Sequence, residues 1–490
     1  MAQSEWTYKT AGELADALAA KQVSAVELAG DAIGRIESCE ERVNAICVRD
    51  FSRALDAARA ADKALARGDH APLLGVPMTV KESFNLAGTP TTWGFAPQRN
   101  FMPAEDALAV ARAKAAGAVM LGKTNVPVAL ADWQSYNDIY GATNNPFDLA
   151  RTLGGSSGGS AAALALGYGP LSLGSDIGGS LRVPANFCGV YAHKPTFALA
   201  PPRGHTPPGL PALPGLVDLA VIGPMARSAV DLARLLDIIA VPDELENGVG
   251  YRVAVPAARH ESLKDYRVLA LAEHPLVPTE ECVRAAIGDL TARLAKSGAT
   301  VAEDSALLPD LANGARLYTR LLMATMAANW PPQVYAAMQD AAAALKDDDV
   351  SVSAEFARGA VLSHRDWVAA DRRRNALRAQ WRALFGAFDA VICPITPTPA
   401  FPHDHSPNQQ ARRILINGEP QPYLAQLLWP GVATAPGLPA TAIPIGRSPE
   451  GLPIGAQIIG PWLEDRTTLK LAELIEREFG GFAAPAGFED

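Results

Sequence analysis

Apolar residues recur along this chain at two spacings. One is the three-to-four-residue spacing of a helix face, and the other is the short unbroken run of a strand buried on both sides. Near the N-terminus, Thr10-Ala-Gly-Glu13 and Ser24-Ala-Val-Glu27 each precede apolar residues at helical spacing. A hydroxyl three residues ahead of a glutamate lets the two side chains satisfy each other's free backbone N–H, so both tetrads predict helix starts. The run GVPMTVKESF is short and apolar, with β-branched residues leading up to Lys81, and predicts a buried strand that reaches that lysine. AEDALAVARAKAAGA predicts an amphipathic helix, and VMLGKTN a strand running into a turn. After Ser157, GGSAAALALG predicts a helix packed closely enough to require small side chains. ALAPPRGHTPPGLPALPG is proline-rich and predicts an irregular crossing, too short to separate domains. From about Thr279 to Phe385 helical patterns dominate, with strand-like RVLALA before them and AVICPITP after.

Alternating strands and helices predict a layered α/β architecture. The helix-rich stretch, about 280–387, reads as an insertion or cap over that core. No clean break appears, so residues 1–490 are expected to form one domain. Composition narrows the class: 49% hydrophobic and 19% charged residues suit a large buried core and argue against disorder. The net charge of −9 and the lack of a basic run speak against a nucleic-acid or anionic-membrane partner. The opening MAQSEWTYKTAGELADAL lacks the basic-then-apolar order of a signal peptide, and no uncharged apolar run is long enough to cross a bilayer. Five scattered cysteines, an odd number, fit reduced thiols in a cytoplasm.

The chemistry gathers between residues 154 and 189. Ser156 lies in GGSSGG and Ser180 in DIGGS. Glycines remove Cβ atoms where backbone must approach a reacting centre, and successive N–H groups can then converge on one point. The amides of Ile177, Gly178, Gly179 and Ser180 run beside the Ser180 hydroxyl, the arrangement acyl transfer needs to stabilise an oxyanion. Flexible Gly/Ser turns are the plain alternative. Asp176, Ile177, Arg182, Val183 and Pro184 make this tract unlike a linker. A serine nucleophile also needs a base. Residues 154–158 match the G-x-S-x-G elbow formally, yet the preceding NNPFDLARTL is no buried strand. The histidines show no partner signal, His193 in YAHKP reads as a packed or capping residue, and S-x-x-K is absent. Lys81 remains. At a strand end a lysine is ordinarily solvated, but buried it would lose its proton and could act as a base.

These blocks carry a resemblance. GVPMTVKESFNLAG, LGKTNVP, YGATNNPFDLARTLGGSSGGSAAALA, GSDIGGSLRVPANFCGVYAHKPT and GPMARS, with GLPATAIPIG and EGLPIGAQIIG near the C-terminus, resemble the successive blocks of the amidase signature family. The blocks stand in the family's order, with a signature core at about 70–230, and the region around 280–410 is the least similar. The resemblance implies an α/β/α sandwich around a large mixed β-sheet with a helix-rich insertion. It implies a Ser–cis-Ser–Lys triad with Ser180 as nucleophile, Ser156 as the bridging serine after a cis peptide bond, and Lys81 as base. It implies an oxyanion site at the amides of Ile177 to Ser180, including Gly178 and Gly179, and a main-chain carbonyl at Leu130, seven residues after the lysine of KTN. Ser157 is expected to support the network, and Asp176 and Arg182 to serve as scaffold. No cofactor and no metal are expected, and no H-E-x-x-H cluster exists. Leu153, where proline is frequent in the family, and Glu82, where aspartate is common, are departures beside the triad.

Three readings follow. The first is a stand-alone hydrolase of hydrophobic amides, anilides or related carbamates and esters, with a small-molecule amide as its partner and a homodimer left open. The second is the glutamine-hydrolysing catalytic subunit of a tRNA-dependent amidotransferase, and the third a non-enzymatic or esterase-like relative. The substrate pocket is expected in the segments ADWQSYND, RLYTRLLMATMAANWPPQVYAAM and QPYLAQLLWPG, with Trp133, Tyr318, Met323, Met326, Trp330, Tyr335 and Trp429 as candidates and ordinary packing the default for most of them.

Overall fold

The computed structural model describes residues 4–488. Its centre is an 11-stranded mixed sheet. From one edge the strands run Ile46–Arg49, Val119–Thr124, Pro77–Lys81, Leu171–Asp176, Val221–Ala226 and Tyr191–Lys194. The order continues with Ala440–Arg447, Pro453–Ile459, Ala390–Pro394, Arg267–Ala270 and Thr300–Ala302. Pro77–Lys81 lies parallel to both of its neighbours, Val119–Thr124 and Leu171–Asp176. Every residue of these three strands is buried, which requires cover on both faces of the sheet. The α/β class and large mixed sheet expected from the sequence are observed.

Both predicted N-terminal capping boxes form. Thr10 and Glu13, and likewise Ser24 and Glu27, exchange side-chain-to-backbone bonds at the starts of helices Ala11–Ala19 and Ala25–Val43. The small-residue helix Gly158–Ala165 is buried along its whole length. The proline-rich crossing carries neither helix nor strand from 198 to 215. The helix-rich region differs from a pure insertion. Its first helix, Glu281–Lys296, packs on sheet strands, and Thr300–Ala302 extends the sheet edge. The cap proper consists of helices Leu311–Met326, Pro332–Ala343, Val352–Ala360 and His364–Ala387. A three-residue strand that pairs with another chain segment leaves little local signal, so the helical pattern around it masks it. Among the described residues, no helix is long and apolar enough to cross a membrane.

Candidate active site

Lys81 ends the strand Pro77–Lys81, and Ser175 and Asp176 end its parallel neighbour. Parallel strands deliver their C-terminal residues to one edge of a sheet, where the following loops build a site. Lys81 is fully buried, with Nζ 2.6 Å from Ser156 Oγ and 2.8 Å from Ser175 Oγ. Burial pushes the amine down to about 7, against the opposing pull of the Asp176 and Glu82 carboxylates. A neutral amine keeps two N–H groups and a lone pair. Ser175 Oγ can take a hydrogen while the lone pair meets the Ser156 hydroxyl.

The Gly155–Ser156 peptide bond is cis. A Cβ on Gly155 would collide with the Asp132 carbonyl, so the loop can lie this close only with glycine there. Ser157 ties the loop to its surroundings. Its N–H donates to Ser180 O at 3.1 Å, and its Oγ lies 3.3 Å from both the carbonyl and the amide of Ser175. Ser180 lines a cavity of about 150 Å³, and its Oγ has no hydrogen-bond partner among the described residues. Catalytic hydrogen bonds commonly tighten only around substrate.

In the turn after the strand, Gly179 (φ +94) could not be another residue. A Cβ there would sit 2.8 Å from Pro430 Cγ and Val183 Cγ2. The expected run of four available amides is corrected to three. Gly179 N–H donates to Asp176 Oδ1 at 2.9 Å, whereas those of Ile177, Gly178 and Ser180 have no acceptor among the described residues. Asp176 also receives Leu181 N–H and a bidentate fork from Arg182, at 3.0 Å from Nε and 2.9 Å from Nη2. Burial alone would raise this carboxyl, but the Arg182 guanidinium overrides it and the net shift is downward. Arg182 reaches on to Pro430 O, Gln457 Oε1 and Thr434 Oγ1, so the pair locks the turn to distant segments without touching the cavity. Leu130, in left-handed backbone (φ +58), lies at the cavity wall.

Of the departures, Glu82 is buried and accepts the N–H groups of Thr92 and Trp93, clamping the loop that follows the lysine. Leu153 is fully buried core. Among the pocket candidates, Trp133, Met323, Met326 and Trp330 line the cavity. Tyr318 stands behind the turn, donating to Ile177 O at 2.8 Å. Two candidates lie away from the cavity lining. Trp429 is fully buried in edge contact with His274, and Tyr335 rides on Pro332–Ala343, a helix that buries none of its residues. His193 is packed, between Thr441 Oγ1 at 2.9 Å and Asp465 Oδ1 at 3.1 Å.

Sequence reasoning missed Ser175, Phe356 and Gln409 at the site, whereas Leu322, Leu424 and Leu427, which also line the cavity, lie in the expected pocket segments. It also missed His205, whose Nε2 lies 2.9 Å from Ser83 Oγ and which burial, then Lys81, drives down to about 3. Only Ser175 left a trace, as a polar residue beside Asp176 in a fully buried strand.

A family model described as Amidase matches residues 27–469. The chain is 30% identical to fatty-acid amide hydrolase 2-A of Danio rerio, over 97% of this chain and 90% of that one. It is 32% identical to a glutamyl-tRNA(Gln) amidotransferase subunit of Acidothermus cellulolyticus, over 97% and 95%. The solved structure of a bacterial aryl acylamidase of the amidase signature family superposes with a TM-score of 0.80 over 97% of each chain. At 22% identity that likeness speaks for the fold alone.

Proposed function

The chain belongs to the amidase family, hydrolases of carbon–nitrogen bonds other than peptide bonds, and from that premise we propose that it cleaves a hydrophobic amide or anilide through an acyl-enzyme on Ser180. The observation that carries the reading is the buried Lys81 amine, down to about 7 and 2.6 Å from Ser156 Oγ, with Ser180 lining an apolar cavity. Neutral Lys81 takes the Ser156 proton as Ser156 takes that of Ser180, and Ser180 Oγ bonds to the amide carbon. The N–H groups of Ile177, Gly178 and Ser180 hold the oxyanion. On collapse the C–N bond breaks, Ser156 hands a proton to the departing nitrogen and recovers one from Lys81. Water, activated through the same pair, then releases the acid and restores Ser180.

The cavity wall supports the substrate class. Leu322, Met323, Met326, Trp330, Phe356 and Leu427 present hydrocarbon, thioether and aromatic surface. Its one carboxylate, Asp132, is already occupied by Arg412 at 2.6 Å and the Tyr423 hydroxyl at 2.5 Å. A free amino acid would find no unpaired charge there, which weighs against glutamine. About 150 Å³ of apolar space is what a benzene-sized group fills, so an aryl or short branched group fits better than a long chain.

The second reading, a glutamine-hydrolysing amidotransferase component, is favoured by the relative from Acidothermus cellulolyticus. Kinetics of the purified chain on an aryl anilide and on glutamine decide between them. The expected result is a higher kcat/KM on the anilide. A higher value on glutamine overturns the reading.

A further inference from the structure

In a planar trans peptide the carbonyl and the N–H point in opposite directions, so whatever grips the oxygen also aims the hydrogen. Two consecutive peptides of the turn before Ser180 are gripped by side chains from elsewhere in the chain. Trp133 Nε1 donates to Gly178 O at 3.0 Å, and the hydrogen on the far side of that peptide, Gly179 N–H, ends on Asp176 Oδ1. This unit is pinned at both ends. The preceding unit is pinned only at its oxygen, where Tyr318 OH donates to Ile177 O at 2.8 Å. Its hydrogen, on Gly178, has no acceptor among the described residues, and Gly178 lines the same cavity as Ser180. Gly178, at the far end of this plane, has no side chain to resist its rotation.

We infer that Tyr318, from the cap helix Leu311–Met326, is a positioning residue that aims the Gly178 N–H at the developing oxyanion. The inference rests on the reading of Ser180 as nucleophile. Tyr318 is built for a fixed role. It is fully buried, and Gly431 leaves the space its ring fills, since a Cβ there would strike the ring. Burial, with the Asp176 charge adding to it, raises the phenol far above neutrality and keeps it a donor. The cap thereby supplies part of the catalytic geometry as well as the pocket wall.

Tyr318→Phe keeps the ring and removes only the hydroxyl. Losing one oxyanion donor lowers kcat by roughly 100- to 1,000-fold, so letting one rotate is expected to lower it roughly 10- to 100-fold, with KM within about twofold. Labelling of Ser180 by a fluorophosphonate should slow by a similar factor, and the midpoint of the pH–rate profile should stay in place because Lys81 is untouched. A purely structural tyrosine would lower the melting temperature and leave both rates intact. Rates within about twofold of wild type overturn the inference. Failure to label Ser180 in the wild type defeats the nucleophile reading itself, and the inference with it. Should Tyr318→Phe not fold, Gly431→Ala displaces the same ring with its hydroxyl present. The same loss of kcat is expected there, and unchanged kcat overturns the inference.

Discussion

Lys81 Nζ lies 2.6 Å from Ser156 Oγ, although 75 positions separate the two residues in the chain. The contact is sealed from solvent, with Lys81 at 0% and Ser156 at 1% exposure. An amine in such a place favours the neutral form, because an ammonium there would forfeit its hydration. A strand end and a glycine loop thus bring together a buried amine and a hydroxyl, the pair to which the proposed mechanism assigns the role of base.

The rate should follow the deprotonation of that amine. Below about 7, kcat/KM is expected to climb tenfold per pH unit, and above it to level off, because only the neutral amine can accept a proton. Lys81→Ala should cost roughly 100- to 10,000-fold in kcat, and a chelator should change nothing. A wild-type profile flat between about pH 5 and 9 would show that this amine is not the base.

Ser175 holds the second hydrogen-bonding position of the amine, at 2.8 Å. Ser175→Ala removes an acceptor that steadies the protonated form and orients the lone pair toward Ser156. The acid limb of the pH–rate profile should therefore move to lower pH, while the plateau falls roughly tenfold. Ser175→Thr, which restores the hydroxyl, should recover the midpoint. An unmoved midpoint in the alanine variant would contradict this role.

Asp176 and Arg182 form a buried pair with no exposed side-chain surface. Arg182→Met strands the carboxylate and should cost about 3–5 kcal/mol in urea unfolding. The pH dependence has a definite sign. Asp176 is held below its ordinary 3.8, so the stability it contributes is present at neutral pH and is lost as pH falls below 3.8. In the methionine variant that acid limb should disappear. An unfolding midpoint equal to wild type would mean that the turn is held by other contacts.

Much of this was legible in the residues because local chemistry writes a local signal. The capping boxes at Thr10 and Ser24, the apolar run up to Lys81 and the glycines around Ser156 and Ser180 each constrain backbone within a few residues. Three of the blocks that resemble the amidase signature family cover the run up to Lys81 and the glycines around Ser156 and Ser180. The pocket was only half legible. Trp133, Met323, Met326 and Trp330 line it, but Trp429 has the same kind of side chain and is core. Aromatic composition does not say which way a ring faces.

What the sequence determined by itself was therefore the class of fold, the positions of the glycines and the set of side chains able to act. What only the tertiary structure decided was partnership. It joined Ser175 to Lys81, spent the Gly179 amide on Asp176, neutralised Asp132 with Arg412, and brought Tyr318 from the cap to Ile177. These contacts join residues as far as 280 positions apart. Their strength comes from shared burial, which exists only once the sheet and cap have closed around them.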